Sequence, residues 1–257
     1  MNLKNKRVWI TGASAGLGAA LAQEASRQGA HVILSARREE KLAAVAKTLA
    51  GPSTIIPLDL TQPETFAAAA AKAGEVDYLI NNGGISQRSN AADTSQEVVR
   101  HIMETNFFGH VEMTRNVLPG MLQRRFGHII AMSSVVGYFG TPKRSTYAAS
   151  KHALHGYFDS LRFEVEDEGV QVTLICPGFI HTDISVNAVT ADGSKQGTMD
   201  DGQAAGMPPE VFAQKAWKGI LKGKRELYIG GTELTGIYLK RFVPSIFRKV
   251  IKKRDVT

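Results

Sequence analysis

The sequence predicts an α/β protein with a single doubly wound domain, in which helices cover both faces of a parallel sheet. Three observations favour this fold class: short apolar runs typical of buried strands alternate with stretches of helical periodicity, a glycine-rich turn follows the first apolar run, and no linker or internal repeat divides the 257 residues. A chain of this length that is 43% hydrophobic can bury one large core.

The first predicted unit is a strand at 7–10, a glycine-rich turn at 11–18 and a helix at 19–28. Glycines allow a ligand to approach the backbone closely, and a helix N-terminus offers free N–H groups to a phosphate. The spacing G-x-x-x-G-x-G departs from the better-known G-x-G-x-x-G, but the order of elements favours a pyrophosphate site over a structural turn. The residues predicted to bind it are Gly12, Ser14, Ala15, Gly16, Leu17 and Gly18.

The second predicted strand, 31–35, is followed by Arg37 and Arg38, about 20 residues beyond the glycines. An acid at this place would bind a ribose 2′-hydroxyl, whereas an arginine can bind a 2′-phosphate. We therefore expect NADP(H) as cofactor rather than NAD(H). The alternative is that both arginines are solvated loop charges.

Two further strands, 54–60 and 76–80, end in polar or glycine-rich segments. Asp59 and Leu60 are expected beside the adenine, although Asp59 could equally cap the turn. After the other strand, Asn82 and Gly83 can offer donors to a ligand, although a simple turn would look the same. Capping boxes are predicted to open the next helices at Thr61-x-x-Glu64 and at Thr94-x-x-Glu97.

Asn106 lies inside the helix that follows Thr94. An amide on an apolar helix face implies a local break or a bound water, and otherwise a side chain that faces solvent, which we expect by default.

A central stretch combines Ser134, at the end of a strand at 128–132, with Tyr147 and Lys151 on a helix that runs to about residue 168. Residues four apart share a helix face. An ammonium close to a phenol lowers the phenol pKa by about 1–3 units, which suits a general acid/base near neutral pH. Alone, Tyr147 and Lys151 could also be an ordinary surface pair.

The C-terminal part is predicted to contain a strand at 170–176, an aperiodic lid at 183–207, a helix at 209–221 and a last strand at 226–229. Pro177 and Gly178 follow the first of these strands. The domain is predicted to span 1–235. Residues 236–257 form a basic amphipathic extension with a kink at Pro244, which can lie on an anionic membrane or dock on its own domain or a sister subunit, as we favour.

Charge, cysteine count and histidines exclude several classes. Seven cations and one acid lie between Tyr238 and Thr257, so the extension carries most of the net charge of +7, and no nucleic-acid track is expected. The single cysteine, Cys176, cannot form an internal disulfide and is predicted to be a buried thiol in a strand. No apolar run reaches the ~18 residues of a membrane span, so a cytoplasmic, at most membrane-peripheral, protein is expected. The seven histidines predict no metal site.

Together these motifs resemble the short-chain dehydrogenase/reductase family over essentially residues 5–231. Residues 81–89 and 242–249 look most like its dehydrogenase/reductase member 7 subgroup. One departure is Gly83, where the family usually has alanine. The residues that carry the resemblance are Thr11, Gly12, Gly16, Gly18, Asp59, Asn81, Asn82, Gly83, Gly84, Asn106, Ser134, Tyr147, Lys151, Pro177 and Gly178.

The resemblance implies a Rossmann-type, seven-stranded sheet of order 3-2-1-4-5-6-7, a homo-oligomer (dimer or tetramer), and a role for each catalytic residue. Tyr147 would be the acid/base and Ser134 would polarise the carbonyl. Lys151 would hold the nicotinamide ribose and lower the Tyr147 pKa, and Asn106 would fix a proton-relaying water. Cofactor contacts are also expected from Pro177, Gly178, Ile180 and Thr182.

The function expected on this basis is NADP(H)-dependent interconversion of a small-molecule carbonyl and a secondary alcohol. The alternative is a catalytically idle dinucleotide-binding regulator that senses redox state. Such a regulator predicts losses among Asn106, Ser134, Tyr147 and Lys151, but all four are present. Substrate determinants are expected near 85–90, 135–143 and 183–207.

Overall fold

The computed structural model describes residues 3–253 and contains one seven-stranded parallel sheet of order β3-β2-β1-β4-β5-β6-β7. This is the predicted order. The strands are β1 (Arg7–Thr11), β2 (His31–Ser35), β3 (Ser53–Ile55), β4 (Tyr78–Asn81), β5 (Gly127–Met132), β6 (Val170–Pro177) and β7 (Glu226–Ile229).

Helices cover both faces of the sheet, as predicted. Side chains in β1 alternate between the two layers, since Val8 and Ile10 join one core and Trp9 the other. Helices α1, α2 and α8 pack in the first layer, and α3, α5 and α6 in the second. The helices are α1 (Gly16–Arg27), α2 (Glu39–Ala46), α3 (Phe66–Ala73), α4 (Gln96–Met103), α5 (Gly109–Arg124), α6 (Ser145–Val165), α7 (Asp201–Ala204), α8 (Pro209–Ile220), α9 (Thr235–Phe242) and α10 (Pro244–Lys253).

Strand β3 is shorter than predicted and ends before Pro57. Proline has no N–H with which to continue a ladder. The chain nevertheless follows β2 further, because Ile56 donates to the Leu34 carbonyl and Leu58 to that of Ala36. Residues 56–60 are therefore still carried toward the carboxyl end of the sheet.

Both predicted capping boxes are wrong. Thr61 is held by Asp59, whose Oδ1 accepts from the Thr61 N–H and hydroxyl, and α3 begins only at Phe66, after a short 3-10 turn. The cap of α4 is Ser95, which accepts from the Val98 N–H, while Thr94 donates to the Asn90 carbonyl. Of these two helices, only α4 therefore has a side-chain cap, from Ser95, one residue after the predicted Thr94, and no side chain caps α3.

The segment predicted as a lid has little regular structure apart from α7. Single β-bridges pair Gln87 with Val189 and Ile180 with Met207, and so tie the segment to two parts of the domain. Its mobility stays a prediction.

The C-terminal extension folds as α9 and α10, and helical structure is interrupted at Val243, directly before the predicted kink at Pro244. Phe247 packs against Phe139 with 5.2 Å between ring centroids. Residues 254–257 of the predicted extension, like residues 1–2 of the predicted domain, lie outside the described residues. Among residues 3–253, no helix is both long and apolar enough to cross a bilayer.

Candidate active site

A cavity of about 1210 Å³ lies at the carboxyl ends of the strands. In parallel α/β sheets, chain segments that leave the strand ends diverge there and open a crevice. Thr11 at the end of β1, Ser35 at the end of β2 and Pro177 at the end of β6 all line it. The site is therefore where the topology predicts a ligand.

The glycine-rich turn forms one wall of this cavity. Gly12 and Gly16 have φ angles of 65° and 53°, which favour glycine, and a Cβ on Gly12 would lie 2.6 Å from the Gly83 Cα. Thr11 Oγ1 accepts from the backbone N–H groups of Asn82 (3.0 Å) and Gly83 (3.1 Å). The turn and the segment after β4 thus approach each other too closely for side chains, which leaves backbone for a ligand to contact.

Most residues predicted to bind a cofactor line the cavity. They come from the segments that follow β1, β2, β3, β4 and β6, together with helix α6. The lining residues are Gly12, Ser14, Ala15, Gly16, Leu17, Arg37, Arg38, Asp59, Leu60, Asn82, Gly83, Tyr147, Lys151, Pro177, Gly178, Ile180 and Thr182.

Gly18, predicted with them, is not on the cavity wall. A Cβ there would collide with the Gly12 carbonyl and would lie 2.7 Å from the Asn82 amide nitrogen. Gly18 therefore allows α1 to pack closely on the turn.

Arg37 and Arg38 are exposed at the edge of the cavity, directly after β2. Asp59 has the capping role that the sequence left open, through its Oδ1 contacts with Thr61, and also lines the cavity. Asn82 Nδ2 donates to the carbonyl oxygens of Thr11 and Gly12 (3.0 and 3.3 Å), so its amide holds the glycine turn in place.

The same cavity is also lined by Ser134, Tyr147 and Lys151. Tyr147 and Lys151 lie one turn apart on α6, with Lys151 Nζ 5.7 Å from the centroid of the Tyr147 ring. Lys151 Nζ donates to the Met132 carbonyl (2.8 Å) at the end of β5. Ser134 follows β5, and its hydroxyl is close enough to Tyr147 to lower the pKa of that phenol. The structure therefore brings these three predicted residues together.

The pKa values differ from the sequence-based expectation. Burial raises the pKa of Tyr147, opposed by the charge of Arg144, the hydrogen bond of Ser134 and the charge of Arg88. Burial also lowers the pKa of Lys151 to about 7. The charges that lower the pKa of Tyr147 against the effect of burial are those of Arg144 and Arg88.

Arg88, Arg144 and Asp200 form a buried ion cluster that the sequence analysis missed. Asp200 accepts from Arg88 Nε (3.1 Å) and Nη2 and from Arg144 Nη2 (2.9 Å), and all three residues line the cavity. Burial raises the pKa of Asp200, but bonds from Arg88 and Gln196 and the two guanidinium charges hold it below its usual value. The cluster therefore carries a net positive charge beside the Tyr147 ring.

Asn106 is fully buried, in a π-helical turn (Glu104–Phe108) between α4 and α5. The predicted break is present, but the default expectation of a solvent-facing side chain is wrong. Its Oδ1 accepts from the Ile85 N–H (2.8 Å), and its Nδ2 donates to the Ile85 carbonyl (2.9 Å) and Ser150 Oγ (3.1 Å). The amide thus supports the segment after β4 and the back of α6, behind the cavity wall. Its role in a proton relay stays a prediction.

His155 and Asp159 of α6 lie close to Glu226 of β7, with possible ligand atoms within 4.8 Å of one another. The sequence analysis predicted no metal site from the histidines. Each member has a protein partner: His155 bonds Ser133 Oγ (2.9 Å), Asp159 accepts from Arg162 and Glu226 from Tyr138. These contacts account for the cluster without a metal ion.

Comparison with known proteins places these features in a family. The family model described as short chain dehydrogenase matches residues 6–193. Dehydrogenase/reductase SDR family member 7B of Mus musculus is 40% identical over 264 residues, covering 98% of this chain and 82% of the relative. The Drosophila melanogaster protein named dehydrogenase/reductase SDR family protein 7-like is 41% identical over 266 residues, covering 99% and 82%. The resemblance to the member 7 subgroup is confirmed.

Solved structures agree with the fold. A short-chain dehydrogenase from Streptomyces avermitilis has a TM-score of 0.83 at 29% identity and covers 98% of this chain and 99% of its own. One from Burkholderia cenocepacia, in complex with NADP, has a TM-score of 0.83 at 25% identity and covers 99% and 100%. Because the family model matches most of the chain and relatives about 40% identical cover nearly all of it, the chain belongs to the short-chain dehydrogenase/reductase family of oxidoreductases.

Proposed function

We propose that this protein is an NADP(H)-dependent oxidoreductase that interconverts a carbonyl compound and a secondary alcohol, with Tyr147 as general acid/base. The observation that carries the proposal is that Ser134, Tyr147 and Lys151 line the same cavity as the glycine turn. A dinucleotide on the turn and a substrate at Tyr147 would then share one space.

The residues fit a nicotinamide dinucleotide. Gly12 and Gly83 bring the glycine turn and the segment after β4 together without side chains between them, so backbone is left for the ligand to contact, and no acidic residue in the first turn of α1 opposes a phosphate. Lys151 and Thr182 would hold the nicotinamide half, and Asp59 and Leu60 the adenine half. When bound, the cofactor supplies or accepts the hydride.

The chain's own residues manage the proton. In reduction, Tyr147 donates its phenolic proton to the carbonyl oxygen, while the Ser134 hydroxyl holds that oxygen in place; in oxidation, the phenolate takes the alcohol proton. Arg144 and Arg88 stabilise the phenolate, since their charges lower the pKa of Tyr147 against the effect of burial.

The first test replaces Tyr147 by phenylalanine. Loss of the hydroxyl removes the proton donor, so turnover of a carbonyl panel with NADPH should fall by at least the ~100-fold of general acid catalysis, while NADPH affinity changes little. Tyr157→Phe, on the same helix but away from the cavity lining, is the matched control. Activity that survives in Tyr147→Phe excludes the acid/base assignment. If the wild type binds NADPH but reduces none of the panel, the idle regulator is the better description.

The second test addresses the cofactor. A 2′-phosphate contacting Arg37 or Arg38 gains a charge-assisted hydrogen bond, so Arg37→Asp or Arg38→Asp should reduce the NADPH-over-NADH preference in kcat/KM by about 10- to 100-fold. Lys41→Asp makes the same change in charge at an exposed position that does not line the cavity. A wild-type preference for NADH would contradict the proposal.

A further inference from the structure

The two terminal helices present an apolar stripe to solvent in addition to the one that packs on the domain. Phe242 is 74% exposed and Ile246 50% exposed, whereas Phe247 is 8% exposed. We call the outer stripe, together with the cations around it, the basic apolar face. Its apolar members are Tyr238, Phe242, Val243, Ile246 and Val250, and its described cations are Lys240, Arg241, Arg248, Lys249 and Lys252.

The inner stripe is sufficient to hold the extension on the domain. Phe247 stacks on Phe139, and Leu239 and Ile251 pack in the same cluster. Residues of this stripe also line the cavity. Apart from Val250, which lines the cavity, the outer stripe takes no part in this packing or in the cavity wall. Packing on the domain therefore does not explain why its side chains are apolar.

The charges around the outer stripe are of one sign. No acidic residue occurs from Thr235 through Lys253. Arg241 lies three residues after Tyr238, and Lys249 three residues after Ile246, so each helix places a cation next to its exposed apolar side chains. Aromatic and aliphatic side chains bordered by arginine and lysine are typical of helices that lie in a membrane interface.

Two other occupants fit the basic apolar face less well. A second copy docked through the same face would bring like charges together, which is unfavourable in a two-fold interface. A polyanion such as nucleic acid would pair with the cations but leave Phe242 and Ile246 in water. An anionic bilayer offers negative headgroups and an apolar layer at the same contact.

We propose that the basic apolar face docks this protein on anionic lipid bilayers. Phe242 and Ile246 enter the boundary between headgroups and acyl chains, while Arg241 and Lys249 contact the headgroups. The interaction is peripheral, because α9 and α10 lie along the domain surface and are far too short to cross a bilayer. It is independent of the proposed redox activity and can be measured without turnover.

The test uses the full chain and co-sedimentation with vesicles of phosphatidylcholine, alone or mixed with phosphatidylserine. The wild type should bind the mixed vesicles, bind pure phosphatidylcholine far more weakly, and dissociate as salt is raised. Each cation near an anionic surface strengthens binding about fivefold, so Arg241→Gln/Lys249→Gln should weaken it by roughly 25-fold. Phe242→Ser/Ile246→Ser should weaken binding to the mixed vesicles by at least as much.

Matched controls change the same chemistry elsewhere. Phe163→Ser alters a side chain that is 67% exposed on α6, and Lys215→Gln/Lys218→Gln removes two exposed cations from α8. Both should bind like the wild type. Thermal unfolding of all variants checks that the fold is retained, since none of the substituted side chains lines the cavity or belongs to the core.

Three results would overturn the proposal. The first is that the wild type does not bind the mixed vesicles. The second is that the controls weaken binding as much as the variants of the face. The third is concentration-dependent self-association in analytical ultracentrifugation that Phe242→Ser/Ile246→Ser abolishes while no lipid binding is seen, which would assign the face to a second copy of the chain.

Discussion

Leu60 occupies the space that a side chain at position 83 would need, and this explains how the chain tolerates glycine where the family usually has alanine. A Cβ on Gly83 would lie 2.6 Å from Leu60 Cδ1 and 3.4 Å from the Gly12 nitrogen. Ordinary contact begins at 3.4 Å, so Leu60 would have to move by about 1 Å. Leu60 and Gly83 are therefore expected to be energetically coupled.

The prediction is a double-mutant cycle. Gly83→Ala alone overpacks the site and should lower the free energy of unfolding by about 1–3 kcal/mol. Leu60→Val alone removes one methylene and should cost about 1 kcal/mol. Because valine has no δ carbon, the double variant relieves the clash and should be more stable than the sum of the two single changes predicts, by about 1–2 kcal/mol.

Urea unfolding with linear extrapolation measures the cycle, and NADPH affinity provides a second readout because both residues line the cavity. The control is Gly156→Ala, at an exposed position of α6 where a Cβ meets nothing within 4 Å. Gly156→Ala should raise the free energy of unfolding by up to about 1 kcal/mol, and this change should be additive with that of Leu60→Val. The reasoning is refuted if Gly83→Ala and Leu60→Val are additive within about 0.5 kcal/mol.

Three further predictions concern buried titratable groups. Asp200→Asn leaves two buried guanidinium groups without their carboxylate and should lower the free energy of unfolding in urea by about 3–5 kcal/mol. The control Asp201→Asn, at an exposed neighbour, should lower it by less than about 0.5 kcal/mol, and equal losses would show that the ion cluster does not stabilise the fold. Burial lowers the pKa of His128 to about 4, so between pH 6.5 and pH 4 the unfolded state binds this proton and the folded state does not. The free energy of unfolding should therefore fall as the pH is lowered through this range, and His128→Gln should make the fall less steep. Since the pKa of Lys151 is lowered to about 7, the ligand-free chain should gain stability between about pH 7 and 10, and a Lys151→Met variant that keeps the full gain would rule this out.

Local spacing was enough to predict much of the fold and of the site. Strands β2 and β7 have the predicted bounds, because each is a short apolar run between clear breaks. Tyr147 and Lys151 share a face because four residues make about one helical turn. The glycine turn could be recognised because positive φ angles and close backbone contacts require glycine, and the glycines are visible in the sequence.

Features that depend on residues far apart could not be predicted in this way. Arg88 and Asp200 are 112 residues apart and meet only through the tertiary fold. The burial of Asn106 depends on the segment that packs over it, not on its helical neighbours. The pKa of Lys151 is lowered and that of Tyr147 is raised by burial, which the sequence does not specify, so the spacing located both groups but did not predict these two shifts.

The π-helical turn between α4 and α5 makes chain length, and not only residue type, a determinant of the site. A π turn holds one residue more than a regular helical turn, and each residue of an α-helix advances the azimuth by about 100°. Deleting a single residue from Glu104–Phe108 would convert the π turn into a regular turn, which keeps α5 in phase with α4 but changes the azimuth of the residues inside the turn. His110, in α5, would keep its contact with the Gly83 carbonyl, whereas the amide of Asn106 would lose the position that the π turn gives it against the backbone of Ile85.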